Sequence, residues 1–198
     1  MPKTQSQIGI DLNLDNFLTA SNGAMVANPR FYRKTKKKLA HAQRVLSRRQ
    51  RRAKQEGQNL GTARNYQKQR LIVAKLHDKI RIQREDFLQA LSTALIKNHD
   101  LVVAEELRSK NLLKNHALSQ SISDVGWRSF LNMLAYKADL YGKEFKTIDP
   151  KYTTQRCHAC GSIMGQNGYK KLTLKDREWT CPICRMPHIR DWNAAVNI

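Results

Sequence analysis

Acid is scarce in this chain: 16 Asp and Glu stand against 36 Lys and Arg in 198 residues, a formal net charge of +20 with a pI near 10.2. Such a field attracts polyanions, and at this size nucleic acid is the usual one. Long apolar runs are missing too. No 18-residue hydrophobic stretch exists, and the basic segments lack the large aromatic face of an interfacial helix, so a membrane partner is set aside. The N-terminus, MPKTQSQIGID, has no apolar core of signal-peptide length, and a cytoplasmic protein is expected. Repeats and low-complexity tracts are absent outside one basic stretch. Cysteine is confined to Cys157, Cys160, Cys181 and Cys184. In a reducing compartment two CxxC pairs point to zinc more than to disulfides or free thiols.

The apolar segments that remain are short. Gln7 to Asn13 and Phe17 to Ser21 read as strands, and Asn22-Gly23 is a hairpin signal that returns Ala24 to Ala27 as a third. From Arg30 to Lys54 there are twelve Lys or Arg in twenty-five residues and no acid. Leu39, Ala42, Val45, Leu46 and Ala53 fall near helical spacing there, giving a thin packing face on a cationic helix. After a break at Gly57 to Gly61, a second helix is expected from Thr62 to Lys97, with Ile72, Leu76, Ile80, Phe87, Leu91 and Leu95 as its stripe, folding back as an antiparallel hairpin. Because no acids balance the charge, the basic face is assigned to phosphates, through Arg33, Lys34, Lys37, Lys38, Arg44, Arg48, Arg49, Arg51 and Arg52. Leu101 to Ala104 reads as a strand delivering Glu105, and Arg108 to Ser121 as loop. Ser123 or Asp124 caps a helix from Val125 to Tyr141, with Trp127, Phe130, Leu131, Leu134 and Ala138 inward. Glu144 to Ile148 is a fifth strand, and a terminal helix begins near Asp191.

Two chemistries follow. The cysteine pairs, with twenty residues between them, fit a zinc ribbon in which all four positions are sulfur, so the metal is structural. His158 and His188 are close by but unneeded as ligands. Asp11, Glu105 and Asp191 are each an ordinary turn or cap residue when taken singly. Their placement after a first strand, after a fourth strand and at the head of the last helix is that of an RNase H-like α/β domain, where acids converge at one end of the sheet. Clustered carboxylates repel, and hard divalent cations, Mg2+ or Mn2+, relieve that repulsion. Two such ions roughly 4 Å apart can activate water and stabilise the leaving oxygen of a phosphodiester.

The segments IGIDLN, NPRFYRKTKKKLAHAQRVLSRRQ, QREDFLQALST, LVVAEEL, SISDVGW, DPKYTTQRCHACG, WTCPIC and HIRDWNAAVNI resemble the consecutive motifs of the TnpB (OrfB) family of bacterial insertion sequences, a family related to the type V CRISPR effectors. The likeness runs from Ile8 to Ile198. It implies a split RuvC nuclease, with Asp11, Glu105 and Asp191 as metal ligands, Glu106 as runner-up to Glu105, and a zinc ribbon inserted before the third acid. Arg190 could meet the scissile phosphate or form a surface salt bridge. The implied segments are 7–29, 99–150 and 188–198 for RuvC, 30–98 for the basic hairpin and 151–187 for the ribbon.

Three point departures stand out. Asn13 replaces a usual Gly after the first Asp, Ile82 a usual Asn, and Arg185 a usual Gly after the last Cys. Family members also carry a guide-RNA- and target-binding portion ahead of the first motif, whereas seven residues precede Ile8. The expectation is therefore an N-terminally truncated form, with a partner chain to supply that portion. The resemblance implies a metal-dependent DNA endonuclease that acts with a guide RNA in a bacterial or archaeal cytoplasm, at the nucleoid. Alternatives are a catalytically idle, zinc-containing nucleic-acid-binding remnant or regulator, and a dimeric junction resolvase.

Overall fold

The computed structural model describes residues 2–106 and 124–198, in two compact units. One comprises the chain up to Pro29 together with Leu88–Ile198, and the other is Arg30–Phe87. The expected loop at Arg108 to Ser121 and the cap at Ser123 fall outside the described residues.

The larger unit is built on a five-stranded mixed sheet of order β3-β2-β1-β4-β5. Its strands are β1 (Gln7–Leu12), β2 (Asn16–Ala20), β3 (Met25–Ala27), β4 (Leu101–Glu105) and β5 (Glu144–Ile148). β1, β2 and β3 pair antiparallel, while β1, β4 and β5 run parallel. Alternation explains the core. Ile8 and Ile10 of β1 lie beside Val102 and Ala104 of β4 in register, and all four are buried. Lys143 closes the entry side of β5 against Asp100, whose carboxylate also accepts the Thr4 and Gln5 amides.

Helix α3 (Trp127–Tyr141) buries Trp127, Phe130, Leu134 and Ala138, and Phe130 meets Phe17 edge to face at 5.0 Å. It starts two residues later than the expected Val125 because Gly126 is left-handed, with φ of 72°. On the same buried face Lys137 donates to Gln89 O, Ser92 Oγ and Thr93 Oγ1 at 2.7–2.8 Å, tying α3 to the end of α2 (Arg64–Asn98). The buried line of that part of α2 is Leu88, Ser92 and Ile96, one residue on from the expected Phe87, Leu91 and Leu95, which are half-buried. Apolarity alone misplaced the stripe, since its centre is Ser92, whose hydroxyl bonds the Leu88 carbonyl at 2.7 Å.

Terminal helix α4 (Arg190–Asn197) lies against β1. Small residues allow this: a Cβ on Gly9 would stand 2.3 Å from the Ala195 carbonyl oxygen, and Ala194 and Ala195 are buried. A short antiparallel hairpin precedes it, β6 (Glu178–Thr180) with β7 (Pro187–Ile189). The sequence pattern did not disclose this hairpin.

The smaller unit contains α1 (Phe31–Gln55) and the first part of α2. Leu39, Ala42 and Ala53 are buried with Ala63 and Ile80, and Gln69 Nε2 donates to Ala42 O at 3.0 Å. Ile72, expected on this face, is 47% exposed. Among the described residues no helix is long and apolar enough to cross a membrane.

Candidate active site and metal centre

Asp11 and Glu105 each follow directly on the Ile10–Ala104 pair of adjacent parallel strands, which puts them side by side at the same end of the sheet. Asp191 stands in the first turn of α4, which packs on β1. Asp11 feels the charges of both other acids. Burial, first, and then the charges of Glu105 and Asp191 raise the Asp11 carboxyl to about 7, against a hydrogen bond from Asn13 and the charge of Arg190. Burial also raises Glu105, against a bond from Thr153. Each acid has its own holder: Asn13 Nδ2 donates to Asp11 at 3.1 Å, Thr153 Oγ1 donates to Glu105, and Arg190 Nε and Nη2 donate to Asp191 at 3.1 and 3.0 Å. Arg177 reaches Asp191 at 3.5 Å as well. Arg190 is buried, not a surface residue, and its guanidinium also donates to Leu174 O at 3.1 Å. Glu106 is exposed, its amide bonded to Ile148 O.

Among the described residues, one group of metal-ligand side chains has all its donor atoms within 4.8 Å of one another: Cys157, Cys160, Cys181 and Cys184. The three carboxylates are not drawn together that tightly. Two sulfur pairs, Cys157–Cys184 and Cys160–Cys181, stand 3.6 Å apart. The edge of a tetrahedron with ~2.3 Å metal–sulfur bonds is about 3.8 Å, so the donor set fits a closed thiolate site. The two turns share one geometry. Cys157 N–H bonds Ser162 O while Gly161 N–H returns to Cys157 O, and Cys181 N–H bonds Met186 O while Arg185 N–H returns to Cys181 O. Burial pushes the Cys157 thiol up to about 12. For Cys181 burial acts the same way, but the Cys184 and Ile183 amides and the Ser162 hydroxyl prevail and bring it down to about 6.

Sequence reasoning missed Asn13, Thr153, Asn193 and Asn197, and set His188 aside. His188 is buried with Nε2 3.1 Å from Cys157 Sγ, placing it beside the sulfur cluster. The one available signal was Asn193 and Asn197, four apart on one face of the last helix.

Of the basic residues assigned to phosphates on α1, Arg33, Lys34, Lys37, Lys38, Arg44, Arg48, Arg51 and Arg52 are exposed and Arg49 is half-buried. Arg49 and Arg52 have internal partners: Arg49 donates to Asn65 O at 2.8 Å and Arg52 pairs with Glu56 at 2.9 Å.

These features define a class, a strongly basic α/β protein with three acids at one end of a mixed sheet and a four-cysteine centre beside its last helix. The chain belongs to the OrfB_IS605 family, described as "Probable transposase", whose model matches residues 1–116. A second model, "Cas12f1-like, TNB domain", matches residues 127–198. The family is the TnpB (OrfB) group. A "Putative RNA-guided DNA endonuclease" of Streptomyces pristinaespiralis is 40% identical over 198 residues, covering 100% of this chain and 45% of its own length. The "Putative RNA-guided DNA endonuclease InsQ" of Escherichia coli K12 is 31% identical over 208 residues, covering 98% and 48%. The chain thus spans about half the length of these relatives. A solved Cas12f1-sgRNA-target DNA complex matches the fold with a TM-score of 0.61 at 17% identity, over 100% of this chain and 50% of that one.

Proposed function

We propose that the larger unit is an RNase H-like (RuvC) nuclease domain split into segments 7–29, 99–150 and 188–198. The basic hairpin (30–98) and a zinc ribbon (151–187) are its insertions. The observation that carries this reading is the placement of Asp11 and Glu105 side by side at the same end of adjacent strands, where burial, and then the charges of Glu105 and Asp191, lift Asp11 to about 7. Paired and buried carboxylates of that kind favour a cation or a proton between them.

Asp11, Glu105 and Asp191 would hold Mg2+ or Mn2+, which supplies charge stabilisation and an activated water for phosphodiester hydrolysis by a two-metal route. The protein's own part is orientation. Asn13 and Thr153 fix the first two carboxylates, and Arg190, one residue from Asp191, sets the third while adding positive charge where a phosphate would approach. The four cysteines would hold structural Zn2+. The exposed α1 cations would follow a phosphate backbone, on DNA as substrate and RNA as guide, with base pairing reading the target.

The experiment is incubation of the intact protein, with any copurifying RNA, with single- and double-stranded DNA in Mg2+ and in EDTA. Asp11→Ala and Asp191→Ala are expected to abolish cutting while binding persists. Equal cutting by wild type and either variant contradicts the assignment. Tight binding without cutting in any metal identifies the idle nucleic-acid-binding alternative, a reading favoured by the contacts Arg190 and Arg177 already make with Asp191.

A further inference from the structure

Helix α4 has eight residues, too few to be stable alone, so its position comes from what grips it. One grip is on the sheet, through the Ala194–Ala195 face against β1 at Gly9 and Trp192 Nε1 donating to Ser21 O at 3.0 Å. Another is polar and runs to the segment carrying the first cysteine. Asn193 is fully buried. Its Oδ1 accepts the His158 backbone N–H at 3.1 Å and lies 3.0 Å from His158 Nδ1, and its Nδ2 donates to Arg156 O at 2.7 Å. One turn later, Asn197 Nδ2 donates to Arg156 O at 2.7 Å and to Thr153 O at 2.9 Å. The residues held this way flank Cys157, and Thr153 is itself the donor to Glu105.

The grip continues to the sulfurs. The His158 ring meets the His188 ring edge to face at 4.7 Å, and His188 Nε2 lies 3.1 Å from Cys157 Sγ. Across the β6–β7 hairpin the Trp179 ring lies 4.4 Å from that of His188. Stretch 153–158 therefore carries a cysteine of the metal centre, the acceptors for both asparagines and the donor to a carboxylate. Whatever fixes Cys157 fixes all of them.

We propose that Asn193 and Asn197 are positioning residues through which metal in the four-cysteine centre sets the place of α4, and with it Asp191, and through Thr153 the place of Glu105. Zinc there governs the acidic end of the sheet at a distance and does not merely close a peripheral loop. The consequence for catalysis rests on the nuclease reading above, but the mechanical link does not.

The test is amide hydrogen exchange over 190–198 and 152–158 in the full chain, zinc-loaded and chelator-stripped, for wild type, Asn193→Ala and Asn197→Ala. Cobalt(II)–thiolate absorption shows in each case that the cysteine centre still forms. In wild type, zinc is expected to slow exchange in α4 by about tenfold or more. In the variants the cobalt signal is retained, yet zinc no longer slows α4. Should Asn193→Ala lose the cobalt signal, the half-buried Asn197→Ala decides. Zinc-dependent protection of α4 equal in wild type and Asn197→Ala, or no zinc effect on α4 in wild type, overturns the link. DNA cleavage is not read here, so an idle carboxylate set leaves the link standing, and a broken link leaves metal-dependent cutting to be judged separately.

Discussion

Gly161 and Arg185 occupy the same station in the two cysteine turns. Each is left-handed, with φ of 78° and 60°, and each donates its amide to the carbonyl of the first cysteine of its pair, at 2.8 and 2.9 Å. Glycine takes that conformation freely, whereas a side chain there costs about 1 kcal/mol or more. Arg185→Gly is therefore expected to stabilise the zinc-loaded protein by roughly 1 kcal/mol, and Gly161→Ala to destabilise it by a similar amount. Denaturant unfolding of both variants checks this, and a destabilised Arg185→Gly would show that its side chain serves a contact the backbone argument omits.

Asp11 makes the fold pH-sensitive in a direction opposite to a salt-bridged carboxylate. Its folded value of about 7 lies above the ~3.9 of an unfolded Asp, so its contribution is full below about 4 and is lost as pH rises through about 7. Glu105, also raised, acts in the same sense. With zinc bound and no other divalent cation, wild type is expected to lose on the order of 2 kcal/mol relative to Asp11→Asn between about pH 5.5 and 7.5. Parallel stability curves for the two proteins would contradict this.

Gly9→Ala tests the seating of α4. The added methyl would meet the Ala195 carbonyl at 2.3 Å, and backbone cannot yield as a side-chain tip can. A loss of about 2–3 kcal/mol in unfolding free energy is expected, with looser α4 amides. Unchanged stability would mean that α4 is not held by this contact.

The exposed α1 cations are expected to dominate the salt dependence of nucleic-acid binding. Replacing Arg44, Arg48 and Arg51 with Gln should flatten the slope of log affinity against log salt by roughly 2–3, if each neutralises one phosphate on a duplex. The same change at half-buried Arg49, which donates to Asn65 O, should alter the slope less.

The five strands of the main sheet were readable to within a residue or so because short β-branched runs bounded by Asn, Gly and Pro leave few alternatives, whereas the three-residue strands β6 and β7 were not. The cysteine cluster was readable for the same reason: spacing is itself the signal. What could not be read was polar burial. Ser92 sits at the centre of a buried stripe, Lys137 enters the interior through three oxygens, and Asn193 joins α4 to the cysteine segment, and none of these departs from ordinary surface composition. Ile72 failed in the converse way, an apolar residue left in water because the helix face had already turned. From sequence alone Arg190 fits a surface pair or a phosphate contact equally well. Its buried bond to the neighbouring Asp191 depends on carbonyls seventeen and sixteen residues back, Thr173 and Leu174.

The most direct test of the acidic site is Mn2+ binding by the zinc-loaded protein at neutral pH, followed by calorimetry or electron paramagnetic resonance, for wild type, Asp11→Asn and Asp191→Asn. Wild type is expected to bind Mn2+ with each substitution weakening it by about tenfold or more, as the loss of one carboxylate ligand implies. Equal Mn2+ affinity in all three proteins would contradict the account, because Asp11 and Asp191 would then not be ligands of the ion.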